Sequence, residues 1–131
     1  MSRPPATTSR TAAELAPLLT SHAAGLPTEA AAVDLLIAHQ HWLTRAAFTA
    51  RFVHPVTTGQ GHRVGACIDW AAAHEALQRG QLPCSASEAA ILAIAASLAA
   101  DLPLSLRAAL GGLDRTNIAA VTTAITAANR T

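Results

Sequence analysis

The residues best equipped for chemistry in this chain are six histidines and two cysteines, spread along 131 residues. His39 and His41 flank a single residue, and His54, His62, Cys67 and His74 follow. Residues two apart on a helix point about 200° from each other, so His39 and His41 would not share a metal there. Neither HxxxH nor HExxH occurs, and Cys67 and Cys84 have no CxxC spacing, so no metal is assigned. The cysteines read as two reduced, largely buried thiols, which suits a cytoplasmic setting. For nucleophilic catalysis a GxSxG turn or a similar local signature is wanting, and Ser85 and Ser87 stand where a helix begins. Of eight carboxylates, Glu14, Glu29, Asp69, Glu88 and Asp114 fall at expected helix starts, where capping and the helix dipole explain them. Asp34, Glu75 and Asp101 are too separated for an acid–base pair. The chain therefore reads as non-enzymatic, with no catalytic residue and no cofactor.

The elements that would position any such group are helical. Thirty-three alanines favour helix, there is no lysine or tyrosine, and only two Phe and two Trp fill volume. Ser85 followed by Glu88 is a capping box. From Ala89 to Ala100 no residue is charged; Ile91, Leu92, Ile94 and Leu98 cover half the helix circumference, and Ala89, Ala90, Ala93, Ser97 and Ala100 the other half. Such a stretch is enclosed by protein or by membrane, and at 12 residues it falls short of the roughly 20 needed to span a bilayer. The fold class is all-α: a compact bundle of six or seven short helices around a central apolar helix at about 86–100. Residues 1–10 read as a disordered tail without a secretory signal, and 11–131 as a single helical domain.

Along the chain, Thr11 and Glu14 form another capping box, although Pro17 either kinks that helix or marks its start. Thr28 is expected to cap the second helix, and Val33, Leu36, Ile37 and Leu43 mark a buried side. Residues 44–53 suit a short helix with Phe48 and Phe52 inward. His54–Gly65 (HPVTTGQGHRVG) reads as a long loop, because a strand at Val64–Ile68 has no evident partner. Asp69 caps the next helix, and Ser105 a brief one ending at Gly111-Gly112. Asp114 caps the last, with Ile118, Val121, Ile125 and Ala128 as one apolar stripe.

Three functional readings follow. A net charge of +1 argues for no polyanion, and the faces are so poor in charge that they suit close helix contact. The favoured reading is an accessory or protein-interaction domain whose partner is another protein or a second copy. Its contact surface is an alanine-rich helix face or the 54–65 loop with Trp42, Arg51, Phe52, His54, His62 and Arg63. The alternative is a DNA-binding regulator: residues 104–129 have helix–turn–helix spacing around Gly112, and Arg107, Arg115, Thr116 and Asn117 would meet DNA. Against it, Arg107 and Gly111 occupy positions that want buried apolar residues, and few cations cluster to neutralise phosphates. A small-ligand binder or enzyme with its site at the 54–65 loop is the third. No membrane partner is expected.

Ile68-Asp69-Trp70, Leu82-Pro83-Cys84-Ser85-Ala86-Ser87-Glu88 with Ala95-Ala96-Ser97-Leu98-Ala99, and Gly112-Leu113-Asp114-Arg115-Thr116-Asn117 together resemble small helical proteins of unknown function from high-GC bacteria, some carried on mobile elements. The likeness covers roughly residues 30–130. It implies a cytoplasmic bacterial setting and no mechanism.

Overall fold

Helix starts are where this sequence is most explicit, and the chain begins them where its capping side chains stand. A computed structural model describes residues 11–129, the side chain of Arg63 excepted, so the tail expected at 1–10 lies outside the described residues. Seven α-helices, one 3₁₀ turn and a β-hairpin fill them: α1 (Ala12–Ala23), α2 (Pro27–His39), the 3₁₀ turn (Trp42–Thr44), α3 (Ala46–Phe52), β1 (Val53–Thr57), β2 (Arg63–Ile68), α4 (Trp70–Gln78), α5 (Ala86–Ala100), α6 (Leu106–Gly112) and α7 (Arg115–Ala128).

Both capping boxes close. The Glu14 amide donates to Thr11 Oγ1 at 3.2 Å, and the Glu88 amide donates to Ser85 Oγ at 3.1 Å. Asp69, Ser105 and Asp114 each accept from the amide three residues on. At α1 the first of the two readings holds, and at α2 the start differs from expectation. α1 begins at Ala12 and carries Pro17 within it, because the capping box offsets the one hydrogen bond that proline deletes. α2 begins at Pro27, whose missing N–H falls among the first-turn amides that have no intrahelical partner, so Thr28 caps nothing.

The segment expected as a loop is the clearest correction, and it adds a small sheet to the helical class. β1 and β2 pair antiparallel, from Val53 opposite Ile68 to Val56 opposite Gly65. The Asp69 amide donates to the Phe52 carbonyl at 2.8 Å, which fixes the alternation and sends the N-side of Pro55 to the outer edge. Proline is tolerated there because no ladder hydrogen bond is lost. The partner strand is thus the proline-containing one, which hid the pairing from its sequence pattern. The turn closes on Thr58, whose Oγ1 accepts from the amides of Gln60 and His62. Two strands alone are marginal, and α1 supports these. Ser21 Oγ donates to the Val64 carbonyl at 3.4 Å, and a Cβ at Gly65 would stand 3.3 Å from His22 Cβ and from the Leu18 carbonyl oxygen.

α5 packs against α2, α4, α6 and α7, and α2 also packs against α1 and α7. Ile91 and Leu92 are fully buried, as are Leu36, Leu43 and Leu19 from the surrounding elements. An aromatic row, Trp42–Phe48–Phe52, has centroid spacings of 5.3 and 5.2 Å and is buried in the core. On α7 the expected stripe is only half right. Val121 and Ala124 are buried, whereas Ile118 and Ile125 face outward because alanines 120, 124 and 127 let the helix settle closely against its neighbours.

Candidate functional site

Two places concentrate what this chain offers chemically: a polar cluster at the start of α5, and a cleft along its side. The cluster arises because α2 ends at His39 and Gln40 takes a positive φ of 72°, turning His41 back towards α5. The imidazoles of His39 and His41 then lie 6.0 Å apart, where a continuous helix would have separated them. His41 Nδ1 is 3.2 Å from Glu88 Oε2, and its Nε2 is 3.5 Å from Arg45 Nη1. An arginine can only donate, so with neutral His41 that contact places its proton on Nδ1, donating to Glu88. Arg45 also donates to the Pro83 carbonyl at 2.8 Å and lies 5.0 Å over the Trp42 ring. Trp42 Nε1 donates to the Glu88 carbonyl at 3.0 Å.

Glu88 is held below the usual carboxylate range by the Ser85 amide that donates to it, with His41 adding to the effect against partial desolvation. His39 is pushed below its ordinary value by burial, then by His41; Glu88 and Asp114 oppose this. The Cys84 thiol is pushed up by burial and by Glu88, with Arg45 opposing. A thiol shifted that way is a poor nucleophile. The serine hydroxyls are also engaged: Ser85 Oγ accepts from an amide, and Ser87 Oγ accepts from Asn117 Nδ2 at 2.6 Å. Among the described residues no three His, Cys, Asp or Glu side chains converge as metal ligands. The cluster holds α2, the 3₁₀ turn and the α4–α5 connection on the end of α5; its groups face one another.

The cleft is of another kind. It is open, about 780 Å³, and runs between α4, α5 and α6. Leu77, Ala89, Ala93, Leu104, Ala108 and Gly112 line it, with His74 and Gln78 on the α4 side. His74 Nε2 is 3.1 Å from the Pro103 carbonyl oxygen, tying α4 to the segment that leads into α6. Gly112 brings α6 close: a Cβ there would stand 3.0 Å from the Ala86 carbonyl oxygen. The chain matches no family model, no curated protein and no solved structure. Function must therefore be argued from these surfaces.

The residues singled out from sequence do not gather in one place. Trp42 and Phe52 belong to the core, at 0% and 2% exposure, and present no contact surface; their volume was needed inside a chain with so few large side chains. Arg51 is exposed, with its guanidinium carbon 4.7 Å over the Phe52 ring. His54 is exposed on β1, His62 is exposed in the turn, and Arg63 opens β2. Of the residues assigned to DNA, Arg107, Arg115 and Thr116 are exposed, but Asn117 is tied to Ser87 on α5. The small residues of α5 were flagged by their spacing, and Ala89, Ala90 and Ala93 do line the cleft. Its other walls were not, because nothing local in the sequence brings α4 and α6 to flank the same face of α5. The ring cluster depends on α2 ending at His39 and on the turn at Gln40, and the sequence leaves open whether that helix ends there or continues through Trp42.

Proposed function

We propose that this chain is a non-enzymatic interaction domain, organised around α5 as its central helix, which receives an apolar helix of another protein in the α4–α5–α6 cleft. The observation that carries this is the cleft: alanines of α5 and α6 form one part of its wall and Leu77, Pro103 and Leu104 another, and an apolar wall with many small side chains admits the bulky side chains of an amphipathic helix. The polar side chains offer no competing activity, since those around His41 and Glu88 are engaged with one another and the nearby thiol is held protonated. Two free cysteines accord with the reducing interior of a bacterial cell. Among the described residues no helix is long and apolar enough to cross a membrane.

The test uses amphipathic helical peptides selected from a random display library against the full chain, with amide chemical shifts mapping where they bind. The expected result is perturbation at Ala89, Ala93 and Ala108, abolished by Ala93→Glu in a protein that stays folded. Peptides that map elsewhere, or binding indifferent to Ala93→Glu and Ala108→Glu, would overturn the reading.

A further inference from the structure

The outer face of α7 carries two isoleucines that the core does not use. Ile118 is 38% exposed and Ile125 is 53% exposed. They stand on one stripe with Arg115, Thr122 and Asn129, spaced three or four residues apart, at the exposed rim of the face that buries Val121 and Ala124. No residue from Thr116 to Asn129 is charged. The threonines do not make the face polar either. The Thr122, Thr123 and Thr126 hydroxyls donate to the carbonyls of Ile118, Ala119 and Thr122 at 2.9, 3.1 and 3.0 Å. Their donors are satisfied within the helix, which leaves methyl groups as much of what the side chains present outward. A solvated helix normally places charge on such a face.

The order of residues along this stripe identifies what covers it. Read from either end, it runs polar, isoleucine, threonine, isoleucine, polar, with Thr122 at the middle. We infer that α7 pairs antiparallel with α7 of a second copy of this chain about a two-fold axis at Thr122. That arrangement sets Thr122 against its own image and brings Ile118 within one residue of the position opposite the second copy's Ile125, twice. Self-complementarity of this kind is what a two-fold contact requires, and an uncharged face meets its own copy without like-charge repulsion. Each Arg115 then lies beside the last turn of the other helix, whose final carbonyls have no intrahelical partner and accept from arginine. Small residues at 119, 122 and 126 allow the helices to approach closely. The helix is only about 21 Å long, so the contact falls short of the roughly 800 Å² per partner typical of stable complexes, and association is weak and reversible. The pairing uses a surface distinct from the α4–α5–α6 cleft and stands independently of what the cleft receives.

Sedimentation velocity of the full chain, from micromolar to several hundred micromolar, reads the association. A monomer–dimer equilibrium is expected. Ile118→Glu or Ile125→Glu buries an unpaired charge in the contact and should weaken the dimer by at least about tenfold, while Val64→Glu on the hairpin leaves it unchanged. Both isoleucines are exposed, so these variants should keep the native circular dichroism. Register is read by cross-linking in a Cys67→Ser, Cys84→Ser background. Thr122→Cys should link to itself on mild oxidation, whereas Ile118→Cys should link to Ile125→Cys and not to itself. A chain that stays monomeric throughout, a dimer indifferent to both glutamates, or Ile118→Cys linking to itself as fast as Thr122→Cys would overturn the inference.

Discussion

Gly111 and Gly112 are neighbours in the last turn of α6, and the same substitution should act on them with opposite sign. A Cβ at Gly111 meets nothing within 4 Å, and the backbone there is ordinary. Gly111→Ala therefore keeps the benefit of restricting the unfolded chain, about 0.4–1 kcal/mol of stabilisation. A Cβ at Gly112 would stand 3.0 Å from the Ala86 carbonyl oxygen, 3.3 Å from the carbonyl carbon and 3.4 Å from Ala86 Cβ. Those neighbours are mostly backbone in the first turn of α5, held by the Ser85–Glu88 capping box, and cannot swing aside. Relief must come from lifting α6 away, and overpacking of this kind costs about 1–3 kcal/mol. At Gly112 that steric cost exceeds the entropic gain, so the substitution destabilises. Urea unfolding followed by circular dichroism should put the Gly111→Ala midpoint above that of the parent and Gly112→Ala below it. At a slope of about 1–3 kcal/mol per molar urea, a gap of about 2 kcal/mol separates the two midpoints by roughly 1 M. If Gly112→Ala proves as stable as Gly111→Ala, α6 slides over α5 without cost. The cleft wall that the proposed function depends on is then not rigid.

Other substitutions test the frame and the polar cluster. Ser85→Ala removes one side of the capping box and should lower stability by about 1 kcal/mol in the same assay. Leu92→Ala opens a cavity at a fully buried position and should cost about 2–5 kcal/mol. Acid acts through His39, whose folded pKa lies below its ordinary value of 6.5. The unfolded chain takes up that proton first, so stability should fall as pH drops through about 6.5 and level off below the folded value. His39→Gln should flatten that part of the profile; an unchanged slope would place its origin elsewhere. Glu88 has the carboxylate sign. Its contribution is complete above its ordinary value of 4.5 and is lost as pH falls through the lower folded value, so Glu88→Gln should remove that acid-side loss.

Most of the helical frame was legible because it is written locally. A cap needs one side chain and an amide two or three residues away, so Asp69, Ser85, Ser105 and Asp114 each announced a helix start without reference to the rest of the chain, and Thr11 offered one that Pro17 left open. The same local logic misplaced the start of α2, where Pro27 outweighed Thr28. The hairpin was out of reach, because its pairing joins Val53 to Ile68 across a turn and depends on which way Pro55 faces. Nor was the His41–Glu88 pair foreseeable, since it bridges residues 47 apart through a turn made by Gln40. By itself the sequence determined that this chain is mostly helix and where nearly all its helices begin, since propensity and capping act within one turn. Tertiary structure decided which alanines enclose a cleft, which isoleucines are left outside and which histidine meets a carboxylate. Those outcomes depend on how closely helices approach one another, and that distance is a property of pairs of elements, not of any segment.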